Sequence, residues 1–388
     1  MTDSFDIAIV GAGLVGASLA AALAPSGLSV ALIEPRLPAA PAAPWDSRIY
    51  AVSPGSAAFL EQTSAWATLD EARVERVETM RIFGDAQSSR LEFNAYDAGL
   101  RELAFIVESS RLQHALWQCL QGAPHVRLYC PAACERVEWA ADAVQLRLAG
   151  GNVLSARLLV GADGMDSWVR REAGIALTPH DYHQLGVVAN FSTEKPHQGV
   201  AFQWFRGDSV LALLPLPGNR VSMVWSADEP LADELLALAP DALARRAAEA
   251  SGDTLGALQT ITPAASFPLR MQKVAQLVKP RVALVGDAAH SVHPLAGQGV
   301  NLGFRDAREL AAVLCDRGAR HDCGDYALLR RYERARKEDV LTMQVATDSL
   351  LKLFASKAVW LSGLRNSGLG LVDHLPMLKT LMIRQAAA

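Results

Sequence analysis

VALVGDAAHSVHPLAGQGVNLG, running from Val282 to Gly303, sets more special backbone positions between a strand and a helix than any other segment of the chain. Val282 to Val285 is an apolar, β-rich run of strand length. Gly286 lets the backbone turn where a ligand comes close, and Asp287 puts one carboxylate at the strand's C-terminal end, where it suits a ribityl or ribose hydroxyl. After Pro294, Gly297-Gln298-Gly299 opens a helix whose free backbone N–H groups and positive dipole end face an anion or an electron-rich ring edge. The N1–C2=O edge of a flavin, anionic on reduction, fits that description.

The N-terminus supports this reading. Asp6 to Val10 is an apolar strand leading into Gly11-Ala12-Gly13-Leu14-Val15-Gly16 and a helical run, which is G-x-G-x-x-G between a strand and a helix. Gly11 makes the turn, Gly13 lets the backbone approach a pyrophosphate, and Gly16 lets helix and sheet pack closely. A second strand, Ser29 to Ile33, ends in Glu34, placed to take both hydroxyls of an adenosine ribose. This βαβ unit binds the ADP moiety of NAD or FAD alike and leaves the two open.

Leu158 to Val160 ends in a second glycine and carboxylate cluster, Gly161-Ala162-Asp163-Gly164, with Ser167 and Arg170 on the next turn. A return to the same sheet after a long excursion predicts one crevice assembled from distant strand ends. Ser53-Pro54 reads as a helix cap with proline at the first helical position, so Arg48 lies just before a helix, as a bidentate phosphate partner or an ordinary surface cation. Leu112, Leu116 and Leu120 predict the core stripe of a helix. Gly150-Gly151-Asn152 predicts a hairpin turn.

Leu185 to Trp225, rich in Val, Phe and Trp, predicts a separate antiparallel sheet. Its residues Phe202, Trp204, Leu211, Leu213 and Pro215 form an apolar wall, read as core or as the lining of an aromatic-substrate cavity. Residues 230–250 read as one helix. The fold class expected is α/β, with a Rossmann-like dinucleotide domain (1–75, 105–180 and 270–320) interleaved with an antiparallel-sheet substrate domain (76–104 and 181–269), and a helical C-terminal region (321–388).

The composition excludes several classes. The 388 residues carry a net charge of -4 with 20% charged side chains, which gives no basic field for nucleic acid. Five cysteines form no disulfide framework, and Cys130 and Cys134, the one close pair, lack the partners of a metal site. His290 and His293, with no third ligand, read as structural rather than metal-binding. The chain shows neither a basic-then-apolar leader nor an uninterrupted apolar span, so a cytoplasmic protein is expected. Arg330, Arg331, Arg334, Arg336 and Lys337 read as a solvated helix face. The apolar tail beyond Leu350, through Leu351, Leu353, Phe354, Val359, Trp360, Leu361, Leu364, Leu369, Leu371 and Leu375, reads as intramolecular packing or as a surface for lipid or partner subunits.

Three motifs, GAGLVG with Glu34, GADGMDSWVR, and GDAAHSVHPLAGQGVNLG, resemble those of class A flavoprotein monooxygenases, specifically the ubiquinone-biosynthesis aromatic-ring hydroxylases, nearly end to end. The run from Phe105 to Trp117 also resembles that family, with Ser109 where it commonly has Asn. The resemblance implies FAD as cofactor. It implies that Asp287 holds the ribityl chain, that Gly299, Val300 and Asn301 contact the isoalloxazine, that Arg48 and Asp163 lie around the cofactor, and that Pro294 sits near the ring's reactive face. It further implies hydroxylation of a polyprenylated phenol with O2 through a flavin C4a-hydroperoxide, in which the cofactor does the hard step. No catalytic base stands out, and the absence of a second G-x-G-x-x-G unit leaves NAD(P)H or a protein as electron donor. Partner subunits of a quinone-biosynthesis complex and a peripheral place at the inner membrane are expectations of the same kind. A reductase or dehydrogenase of the same fold, or a non-catalytic flavin-holding subunit, are the alternatives.

Overall fold

The computed structural model describes residues 2–84, 90–207, 209–291, 299–318, 321–355 and 376–387. Its first sheet grows from β1 (Asp3–Val10), which pairs in parallel with β2 (Val30–Ile33) and β11 (Val153–Gly161). Outside these, also in parallel, lie β8 (Val126–Tyr129) against β2 and β19 (Val282–Leu284) against β11. Every residue of β2 and β19 is buried, and this is why these strands read as unbroken apolar runs. Antiparallel additions complete the sheet. They are β18 (Val278–Lys279) on β19, and a hairpin of β9 (Cys134–Trp139) and β10 (Val144–Leu148) on β11. The expected β10–β11 turn is present, with Gly150 and Gly151 at φ +92° and +91°.

The second sheet joins β5 (Thr79–Phe83), β6 (Arg90–Asn94), β12 (Leu177–Thr193), β13 (Val200–Arg206), β14 (Ser209–Leu216), β15 (Arg220–Asp228), β16 (Leu258–Thr260), β17 (Ala265–Val274) and β20 (His290–Ser291). All its pairings are antiparallel except β5 with β13. β20 falls within the stretch expected to belong to the dinucleotide domain, yet it pairs with β17, so the chain after 270 serves both sheets. A small third sheet joins β3 (Ile49–Val52), β7 (Ala104–Glu108) and β4 (Glu75–Val77), strands interleaved in sequence with those of the two larger sheets.

On the parallel sheet, α1 (Leu14–Ala22) packs against α3 (Ser109–Gln121) and α7 (Gly299–Cys315), and the Leu112, Leu116, Leu120 stripe of α3 is buried. Ser53 caps α2 (Pro54–Gln62) by accepting from Ser56 N. The single helix expected over 230–250 is two, α5 (Glu229–Ala237) and α6 (Pro240–Ala250). Pro240 has no N–H to continue the ladder and keeps Ala239 extended, so the chain breaks before restarting. Both helices pack on one face of the second sheet. Farther on come α4 (Trp168–Glu172), the long α8 (Tyr326–Ala355) and α9 (Pro376–Ala387). α9 rests on the turn after β6, where Thr380 Oγ1 donates to Asp97 O at 3.0 Å and Lys379 lies 3.7 Å from the Asp97 carboxylate. Leu351, Leu353 and Phe354 fall in the last turns of α8, while Val359 to Leu375 lie outside the described residues.

Candidate active site

The three glycine-rich turns meet at the C-terminal ends of β1, β11 and β19, neighbouring parallel strands. Their glycines divide by what surrounds them. A Cβ on Gly11, at φ +99°, would fall 2.4 Å from Ala162 O, and one on Gly16 would fall 2.0 Å from Gly11 O. Protein packing alone demands both. A Cβ on Gly13, Gly164 or Gly299 would meet nothing within 4 Å, which leaves a cradle open along all three turns. Glu34 Oε2 accepts from Ala12 N at 2.8 Å, so the acid at the end of β2 grips the glycine loop and holds its shape. Gln113 of α3 donates through Nε2 to Ala12 O from the other side. A lone Gln in an amphipathic helix carries no motif, so this contact has no signature in the sequence.

At the second turn the Asp163 carboxylate is occupied by its own helix: Ser167 Oγ and Val169 N donate to it, at the start of α4. Arg170, buried, donates to Ala288 O at 3.0 Å and Met165 O at 2.7 Å, bolting the second motif to the third.

The Asp287 side chain is open to water yet closely surrounded by protein, as an acid lining a narrow crevice must be. Burial there raises its carboxyl above the usual range; His290 and Arg48 pull the other way, and Asp306 adds to the rise. Arg48 is exposed, stands 5.4 Å over the Tyr50 ring, and meets no carboxylate at ion-pair distance among the described residues. Its backbone is fixed by Asp46, whose carboxylate accepts from Arg48 N at 2.9 Å and from Ser110 N at 3.0 Å. Arg48 O in turn accepts from Ser109 N at 2.9 Å. A cation held by its backbone, leaning on Tyr50 and with no carboxylate partner among the described residues, suits a phosphate.

Asn301 is fully buried, accepting from Ser53 N and donating to Ala51 O, both at 2.9 Å, so its side chain ties α7 to β3 and α2. Gly299 and Val300 are half-buried at the first turn of α7. Pro294, Gly297 and His293 lie outside the described residues. His290 is buried with Nε2 2.7 Å from Asp306 Oδ2, a structural contact.

The expected substrate wall faces the other way. Strand register puts Phe202 opposite Leu213, Trp204 opposite Leu211, and Pro215 opposite Val221. This is the face covered by α5 and α6, where Phe202, Trp204 and Leu213 pack with Leu235, Leu243 and Ala247, and Pro215 is buried with the same parity. These residues are core. The opposite parity carries Asn190, Gln203, Ala212, Leu214, Ser222 and Val224, of which Ala212, Leu214 and Val224 are only half-buried. Asn190 Nδ2 donates to Asp46 O at 2.8 Å, so that face looks toward the Arg48 loop. Asn190 Oδ1 and Ser222 Oγ are buried there without hydrogen-bond partners. Alternation alone could not separate the faces, because both are buried.

The open cradle, the crevice-lining Asp287 and the exposed Arg48 fit an ADP-containing cofactor with a ribityl chain. Residues 4–346 match the family described as FAD binding domain. The chain is 35% identical to the ubiquinone hydroxylase UbiL of Rhodospirillum rubrum, over 98% of this chain and 89% of that protein. It is also 35% identical to 3-demethoxyubiquinol 3-hydroxylase of Escherichia coli, over 98% of both. Among solved structures, PqsL, a probable FAD-dependent monooxygenase from Pseudomonas aeruginosa, shares the fold at a TM-score of 0.80 and 24% identity, covering 95% of this chain and all of that one. With the turns, the cradle and full-length likeness in agreement, the chain belongs to the FAD-dependent monooxygenases, in the family of the ubiquinone-biosynthesis hydroxylases.

Proposed function

We propose that the protein hydroxylates the aromatic ring of a polyprenylated phenol in ubiquinone biosynthesis, taking one oxygen atom from O2. The observation that carries this reading is the convergence of the three turns on one crevice that faces the Asn190 side of the antiparallel sheet. Bound FAD supplies the reduction and O2 chemistry, with electrons from NAD(P)H or a protein donor. The chain's own residues bind and orient. The open glycine turns and Arg48 hold the pyrophosphate, Asp287 takes a ribityl hydroxyl, and the α7 N-terminus, with its free N–H groups, favours negative charge at the ring edge. Asn190 and Ser222 offer polar atoms from the facing sheet, while Ala212, Leu214 and Val224 give an apolar floor for an aromatic ring. Two sheets closing on the crevice would exclude water, so that the activated oxygen reaches the ring instead of leaving as hydrogen peroxide.

The test is turnover of a prenylated phenol by the purified FAD-loaded protein under 18O2, with NADH, NADPH or a reduced protein donor in turn. A product carrying one 18O atom is expected. A hydrogenated product would identify a reductase, and a yellow protein without turnover would identify a flavin-holding subunit. In cells, deletion of the encoding gene should cause an under-hydroxylated prenylphenol to accumulate.

The substrate's polyprenyl tail resides in lipid, and no helix among the described residues is long and apolar enough to cross a membrane. The reading therefore includes docking of the stretch after Leu350 on the inner membrane or on subunits of a biosynthetic complex. Truncation before Leu350 checks this. Loss of vesicle or subunit binding with FAD retained supports docking, and a colourless, insoluble product rejects it.

A further inference from the structure

We infer that the C-terminal helix α8 is a working part of the cofactor site: through the Arg336–Asp306 ion pair it sets the Gly286–Asp287 turn, so that FAD binding and the docking of α8 are linked. Neither Arg336 nor Asp306 lines the crevice, so both are positioning residues.

The contacts run without a gap. Gly286 stands at φ +60° with Val15 of α1 close on one side, where an added Cβ would fall 3.1 Å from it. On the other side its N–H donates to Asp306 Oδ2 at 2.9 Å. The same carboxylate has His290 at 2.7 Å, and its Oδ1 accepts from Arg336 Nε at 2.7 Å. Asp306 is fully buried and Arg336 nearly so. Burial opposes ionisation of Asp306, yet His290 and Arg336 outweigh it and hold the carboxyl below the usual range. Asp339 is a further partner of Arg336, and Arg305 also faces Asp339.

Two more side chains of α8 reach the same strand pair. Tyr332 OH donates to Leu284 O at 2.8 Å, two residues before the turn, and Glu333 Oε1 accepts from Leu277 N at 2.8 Å, just ahead of β18. Three side chains within little more than one turn of α8 are thus fastened to the β18–β19 pair and to the carboxylate that holds the turn carrying Asp287. Without Arg336, Asp306 keeps a buried charge with half its compensation, and its carboxylate must rotate or take up a proton. Either change disturbs the bond that fixes Gly286 and with it the aim of Asp287. Linkage is reciprocal: if α8 favours the turn geometry that binds FAD, bound FAD stabilises the docked helix.

Two measurements test this, both on the full chain. In Arg336→Met, FAD release from the holoenzyme, followed by the rise of free-flavin fluorescence, is expected to be at least tenfold faster. Leu328→Ala, which trims the packing of the same helix but leaves the Arg336–Asp306 pair in place, should lower Tm and speed release clearly less than Arg336→Met does. In the unaltered protein, amide exchange across residues 330–340 should slow when FAD is present, which keeps the inference testable should Arg336→Met fail to fold. Release unchanged within twofold in a folded Arg336→Met protein, or exchange in α8 indifferent to FAD, overturns the inference.

Discussion

Asp287 and Glu34 show how similar acids at two strand ends take different tasks. Glu34 holds the shape of its own glycine loop and keeps acceptor capacity for a ribose hydroxyl, whereas Asp287 stands in the crevice with its carboxyl raised by burial. Asp287→Ala should cost about 1 to 3 kcal/mol of FAD binding, roughly one or two decades of affinity, read by flavin fluorescence titration. Unchanged affinity would remove this residue from the site. The thiols give an independent check of the environments. Cys315 is exposed, while Cys323 is buried, donates to Asp6 O, and is pushed up to about 12 by burial and by the carboxylates of Asp322 and Asp6. Because the thiolate is the nucleophile, maleimide at neutral pH should modify Cys315 first and Cys323 last, as peptide mass mapping would show.

Elements carry the next level of consequence, since one strand serves two masters. On β14, Leu213 is packed under α5 and α6 while its neighbour Ala212 faces the opposite way. Leu213→Ala should cost about 2 to 5 kcal/mol of stability with KM for the phenol little changed. Ala212→Phe should leave Tm close to the parent value and impair turnover by filling the facing cavity; equal effects of the two on Tm would refute the assignment of faces. The α7–α8 contact has a pH signature. Asp306 titrates lower in the folded chain than unfolded, so its contribution is present above the ordinary carboxylate pKa of about 4 and is lost as pH falls through the lowered folded value. The Tm gap between the parent and Asp306→Asn should accordingly be widest near neutrality and shrink in acid. A gap independent of pH would show that charge at this position is not what stabilises it.

For the molecule as a whole, the covalent order and the spatial order diverge, and the sequence speaks for each to a different degree. The dinucleotide turns were legible because the first sets Gly11 at a positive φ and leaves no room for a Cβ on Gly16 beside Gly11 O, demands made within the turn itself. The interleaving of parallel and antiparallel sheets was legible from strands that return to glycine and carboxylate ends. The Arg336 cation was misread as solvated, because a charged residue on a polar helix tells nothing of a carboxylate 30 residues away in α7 that will meet it in the interior. The side chains of Asp163 and Asn301, expected around the cofactor, also bond to α4 and to the β3–α2 junction, contacts that have no local signature. The sequence by itself determined where the backbone must turn tightly and which strands are apolar on both faces, since these are local steric and solvation requirements. Which face of the second sheet meets the crevice, which charges are buried together, and which polar atoms are left free were decided only by tertiary structure, because each depends on a partner surface brought by a distant part of the chain.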